Sequence, residues 1–208
     1  MKYLLYVFSL SVIALIACNG GGSNLPVTAV GEKVAADGFI SEEVPGTAVQ
    51  RVYKKDEAGN IIEDGFLKDS LKHGVWLTYE KTFLFPKTLA NFENGIANGI
   101  YIEFNEKGQI NIQAFYKNNK LHGPWAKFNY GRYETSAFYT DGILDGPYKE
   151  YMPQTGRLQK EINYKMGVQD GYFRYYNESG QINMEYLYKD GEKISGGIVD
   201  PPRDVAPQ

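Results

Sequence analysis

The chain has 208 residues, a net charge of −3 from 22 basic and 25 acidic side chains, one cysteine and two histidines. A weakly acidic balance argues against a nucleic-acid partner, whose phosphates reward a basic surface. One cysteine excludes an internal disulfide or an all-cysteine zinc site, and two histidines leave little from which to build a metal centre or a relay.

In chain order, Lys2 precedes an apolar run from Tyr3 to Ala17 broken only by Ser9 and Ser11. The run is short of the roughly 20 residues that span a bilayer as a helix and matches the hydrophobic part of a secretory signal peptide, so residues 1–17 are read as a signal peptide. It ends Leu15-Ile16-Ala17-Cys18, which resembles the lipobox of bacterial lipoproteins. That resemblance implies lipidation of Cys18, a membrane held through the lipid anchor, and an exported protein. Asn19 rather than Asp after the cysteine favours the outer membrane, with the body facing the periplasm or the surface. Residues 18–48 read as a flexible tether. Asn19-Gly20-Gly21-Gly22-Ser23-Asn24 has nothing to bury, and one strand is expected near Gly38-Phe39-Ile40.

From residue 49 to 199 the chain repeats itself. Gly74, Gly99, Gly123, Gly146 and Gly171 form a column of key glycines spaced by 25, 24, 23 and 25 residues. Two places after each stands an aromatic: Trp76, Tyr101, Trp125, Tyr148, Phe173. Five places after stands another: Tyr79, Phe104, Phe128, Tyr151, Tyr176. Seven places before stand Leu67, Phe92, Tyr116, Tyr139 and Tyr164. Periods of this length mark repeat architectures.

The connections are legible as turns. Asp69-Ser70, Asn94-Gly95, Asn118-Asn119, Asp141-Gly142, Met166-Gly167 and Asp190-Gly191 suit two-residue turns whose central residues both take positive φ. Asp56-Glu57-Ala58-Gly59, Asn105-Glu106-Lys107-Gly108 and Asn177-Glu178-Ser179-Gly180 suit longer loops with a left-handed glycine near the end. Each unit is thus two strands and two turns. The fold class is all-β: an elongated antiparallel sheet of stacked β-hairpins with about a dozen strands.

An unbulged turn would set the residue nine before each key glycine opposite that glycine: Gly65, Ala90, Ala114, Ala137, Ile162. Mostly small, these form a trough covered by rings on the same face, and the plus-five rings fall on the other face. Residues 200–208, with Pro201, Pro202 and Pro207, read as a disordered tail. Ile194-Ser195-Gly196-Gly197 lacks the aromatic pair and is expected to cap the array.

Units such as Leu121-His122-Gly123-Pro124-Trp125-Ala126-Lys127-Phe128, and Gly171-Tyr172-Phe173-Arg174-Tyr175-Tyr176 followed by Glu185-Tyr186-Leu187-Tyr188-Lys189-Asp190-Gly191, resemble the bacterial variant of the MORN repeat. That variant is common in chains described as YwqK-type antitoxins and in lipoproteins. The resemblance covers about 150 residues and implies a sheet of stacked hairpins used for protein–protein or membrane-proximal interaction. The antitoxin label would here have to mean immunity to an extracytoplasmic effector.

Chemistry is sparse in the sequence. His73 and His122 share one repeat slot with Asn98, Asp145 and Asp170, which reads as a polar strand or turn requirement. No phosphate loop opens a helix. The expectation is a non-enzymatic protein without cofactor or metal, a membrane-anchored scaffold for a protein partner. A glycan-binding module is the alternative. Trp76, Tyr101, Trp125, Tyr148 and Phe173 form the candidate interaction surface, since contiguous exposed rings mark interfaces; packing within a thin sheet is the competing use of the same rings.

Overall fold

The computed structural model describes residues 33, 34, 38–81 and 85–203. The expected signal peptide, Cys18, most of the expected tether, residues 82–84 and residues 204–208 of the expected tail lie outside the described residues. These residues form strands and no helix: β1 (Phe39–Glu43), β2 (Val49–Lys55), β3 (Ile61–Lys68), β4 (Leu71–Thr78), β5 (Thr88–Glu93), β6 (Ile96–Phe104), β7 (Ile110–Lys117), β8 (Lys120–Leu121), β9 (Gly123–Asn129), β10 (Arg132–Thr140), β11 (Ile143–Leu144), β12 (Gly146–Tyr151), β13 (Leu158–Lys165), β14 (Val168–Tyr176), β15 (Ile182–Lys189) and β16 (Glu192–Arg203).

All belong to one antiparallel sheet in which strands pair with their neighbours in sequence, with β1 and β16 at its open edges. The short β8 and β11 are the first parts of strands continued by β9 and β12 after a break at His122 and Asp145. The sheet therefore has the expected class. Two boundaries move outward. β1 lies inside the expected tether, at the place where a strand was foreseen. Asp200–Arg203 extend β16 instead of opening a tail, because Arg203 pairs with Ile182 and its guanidinium bonds the Glu185 carboxylate.

Turn chemistry explains the hairpins. Both central residues of each tight turn have positive φ, from Asp69 (52°) and Ser70 (65°) to Asp190 (50°) and Gly191 (86°). That is the geometry that matches strand twist. The longer loops open on Asp56, Asn105 or Asn177, whose side chain accepts backbone N–H bonds from two and four residues on. They close on Gly59, Gly108 and Gly180 with φ of 87°, 76° and 86°. Such side-chain turns are why Asn and Asp recur there.

The register differs from the unbulged expectation. Phe92 pairs with Ala97, but Ala90 pairs with Tyr101, so extra residues around Gly99 bulge out of the pairing. The same slip recurs around Gly74 and Gly171. The key glycine is its cause: φ lies between 70° and 135° at all five, a region costly for residues with a Cβ. A Cβ there would also press on the preceding strand, 3.0 Å from Asn91 at Gly99 and 3.1 Å from Phe138 at Gly146.

As a result the small residue nine places back faces the plus-two aromatic, not the glycine. One row then crosses the sheet: Val52, Gly65, Trp76, Ala90, Tyr101, Ala114, Trp125, Ala137, Tyr148, Ile162, Phe173, Tyr186, Gly196. Small and large alternate through its first part, and this row is the spine of the core cluster.

Candidate functional site

The plus-two rings are core. Trp76 and Tyr101 are 2% exposed and Trp125 is 6% exposed, while Tyr148 and Phe173 are half-buried. Trp76, Tyr101 and Trp125 therefore do not form an open surface: each lies over small neighbours on both sides and is closed off by them. A Cβ on Gly65 would fall 2.2 Å from Trp76 Cε3. Phe39 meets Trp76 edge-on at 6.0 Å, and the Lys72 ammonium lies 4.3 Å from its ring centroid. Burial lowers the Lys72 pKa, with Glu63 opposing in part. Burial also raises the Tyr101 and Tyr148 hydroxyls well above the usual tyrosine value, with nearby Glu103 and Glu150 adding to it.

The histidine slot is structural. The second residue of five of the tight turns donates its N–H to the unit before it: Gly95 to Lys72, Asn119 to Ala97, Gly142 to Leu121, Gly167 to Leu144 and Gly191 to Gln169, at 2.7–3.0 Å. The slot before the key glycine adds a side-chain acceptor for the same turn. Asp145 takes the Met166 N–H at 3.2 Å, Asp170 takes that of Asp190 at 3.4 Å, and His122 Nδ1 takes that of Asp141 at 3.4 Å. The slot is not used alike in every unit: Asn98 instead donates its amide to Glu93 at 2.8 Å, and His73 Nδ1 is buried without a hydrogen-bond partner. Among the described residues no cluster of three or more His, Cys, Asp or Glu could hold a metal.

The accessible features lie elsewhere. Pairings one residue out of step with the core row face the opposite side of the sheet. They carry Val75, Pro124, Phe138, Pro147 and Tyr172, all exposed, one or more in almost every unit. Phe66, Phe115 and Leu187 continue this outer row half-buried.

At the long-loop end of the sheet, two grooves open beside the plus-five rings. One, of about 370 Å³, is lined by Phe104, Phe128, Tyr130, Asn111, Asn129 and Lys107 among others. Tyr130 is 67% exposed, on a tight Tyr130-Gly131 turn (φ 49° and 77°) that replaces the long loop in this unit. Beside it Phe128, Tyr133 and Tyr151 stack in series, centroids 4.8 and 5.4 Å apart.

The second groove, about 400 Å³, is lined by Lys149, Arg157, Glu161, Arg174, Tyr176 and Ser179 with Leu158 and Gly180. Its carboxylate is tied down: Glu161 accepts from the Tyr176 hydroxyl at 3.1 Å and pairs with Lys149 at 3.2 Å. Burial, then the Glu161 charge, pushes the Tyr176 hydroxyl up to about 12. Behind it Arg174 pairs with Glu185 at 2.7 Å. Burial alone would raise the Glu185 pKa, but hydrogen bonds from Arg174 and Arg203 outweigh it and hold the group below the usual range. Neither groove was foreseen. The plus-five column was visible in the sequence, but its loop partners come from different units.

No known protein-family profile and no curated protein matches the chain. Among solved structures, it is similar at TM-score 0.29 and 12% identity to a point mutant of S. aureus TarM in complex with fondaparinux, alpha-GlcNAc-glycerol and UDP, over 64% of this chain and 21% of that one. A second TarM structure gives TM-score 0.27 at 12% identity, over 61% and 19%. The chain thus spans about a fifth of the length of these proteins.

Proposed function

We propose that the chain is a non-enzymatic interaction scaffold at the bacterial cell envelope, held to the membrane by a lipid on Cys18, that binds a protein partner with the outer face of its sheet. The supporting observation is Pro124, Phe138 and Pro147, exposed on the adjacent strands β9, β10 and β12, with Val75 on β4 and Tyr172 on β14 exposed on the same face. Contiguous apolar surface rimmed by polar residues is the usual mark of an interface. The anchor rests on Leu15-Ile16-Ala17-Cys18, and with two or more acyl chains membrane attachment is stable.

Cross-linking of the tagged protein in intact envelopes tests the reading. A partner captured by wild type and lost in Phe138→Asp plus Tyr172→Asp, with unchanged circular dichroism, supports it. Equal capture by both overturns it. Radiolabelled palmitate on the wild type but not on Cys18→Ala tests the anchor.

A second reading has its own observation. The groove joins the exposed Tyr130 ring and the half-buried Phe104 and Phe128 to the amides of Asn111 and Asn129, a mixture that suits the apolar face and hydroxyls of a sugar. A glycan array probed with wild type and Tyr130→Ala separates this reading from the first, since the outer row is untouched.

A further inference from the structure

The second groove carries an excess of positive charge on a chain whose net charge is −3. Three cations, Lys149, Arg157 and Arg174, line it against the single carboxylate of Glu161. They come from three places: Lys149 from β12, Arg174 from β14 and Arg157 from the loop between β12 and β13. Glu161 does not neutralise them all, because it is already engaged by Lys149 and the Tyr176 hydroxyl.

Arg157 has no carboxylate partner among the described residues. Its Nη1 donates to the Glu178 carbonyl at 2.6 Å, which fixes the guanidinium at the groove mouth and leaves most of its five N–H donors unused. Arg174 is held from behind through its Nε by Glu185, which also takes Arg203. Its side chain is only 21% exposed, so its position is set before any ligand arrives. Preorganised charged donors of this kind are the strong ones.

We propose that this groove binds the phosphate group of an organic phosphate ester. The donors come from two strands and a loop. A planar carboxylate offers two oxygens, and Glu161 and Glu185 each satisfy theirs with two partners inside the protein. A tetrahedral phosphate offers more acceptors and suits the Arg fork. The groove is open and about 400 Å³, which leaves room for a body larger than the phosphate group itself. The inference does not depend on the protein-binding face, which is built from other residues.

The test is titration calorimetry of the full chain with glycerol 3-phosphate, alongside co-sedimentation with phosphatidylcholine vesicles with and without phosphatidylglycerol. The first arm reads a soluble ester, the second a lipid headgroup. Saturable binding in either arm, weakened about tenfold or more by Arg157→Gln and by Lys149→Gln and retained by Lys107→Gln, bears the proposal out. Lys107 lines the other groove and controls for general charge. Circular dichroism of each variant checks the fold. No saturable binding in either arm, equal binding by Arg157→Gln, or equal competition by acetate overturns it.

Discussion

The first and last parts of the core row have the same layout and different packing. From β3 to β10 each ring lies between two small residues: Trp76 between Gly65 and Ala90, Tyr101 between Ala90 and Ala114, Trp125 against Ala137. All three are nearly inaccessible. From β12 onward the small residue is lost. Tyr148 faces Ile162, and Phe173 lies between Ile162 and Tyr186. Both rings are half-buried. At the far edge the order reverses, with Tyr186 opposite Gly196. The difference shows how a single sheet without a second layer makes a dry core: a ring is buried when the residues on both sides of it are small.

That comparison predicts unequal costs for equal truncations. Trp76→Ala should cost about 3–5 kcal/mol, the usual loss for a large buried aromatic. Phe173→Ala, half-exposed, should cost roughly 1–2 kcal/mol at about 25 cal/mol per Å². Urea denaturation of the two variants measures both, and equal costs would break the comparison. The converse probe fills the trough. Ala114 is fully buried and touches Tyr101 and Trp125, so Ala114→Leu should lose about 1–3 kcal/mol by overpacking.

The sequence carried the columns because each is dictated locally. A two-residue turn needs positive φ, so Asn, Asp and Gly recur and the hairpins are legible. The slip was not legible from the turns: it arises inside the strand, where the key glycines take positive φ, and not at the two-residue turn. The use of Trp76, Tyr101 and Trp125 as core instead of surface follows from that slip, which brings the small column under the rings. The signal was present in the alternation of Gly65, Ala90, Ala114 and Ala137, once paired two residues further along. The cationic groove joins Arg157, Lys149 and Arg174 across two units, and no column contains it.

Alkali probes the buried hydroxyls in both parts of the sheet. Burial raises Tyr101, Tyr139, Tyr148 and Tyr176 above the ordinary value of 10.0. The folded chain then keeps protons that the unfolded chain releases. Their contribution is complete below pH 10 and is lost as pH rises through the folded values, for Tyr176 between pH 10 and about 12. Urea midpoints should be flat up to about pH 9 and fall above it, and Tyr101→Phe should fall less steeply than wild type.

The smallest effect concerns the seam between the two parts. The Asp145 carboxylate accepts the Met166 N–H at 3.2 Å, and the Gly167 N–H bonds Leu144 O at 2.7 Å. Two bonds thus hold the β13–β14 turn to the preceding unit, and Asp145→Ala removes one of them. A hydrogen bond to a charged group near the surface is worth about 1–2 kcal/mol net, and water can replace it at an exposed turn, so the loss should be about 1 kcal/mol. It should also be local. Hydrogen exchange should quicken at Met166, while Trp125 fluorescence stays unchanged because the row beneath it is intact. If Trp125 responds as strongly as the turn, the rows are coupled along the whole array, and the division at Ile162 is not a boundary in stability.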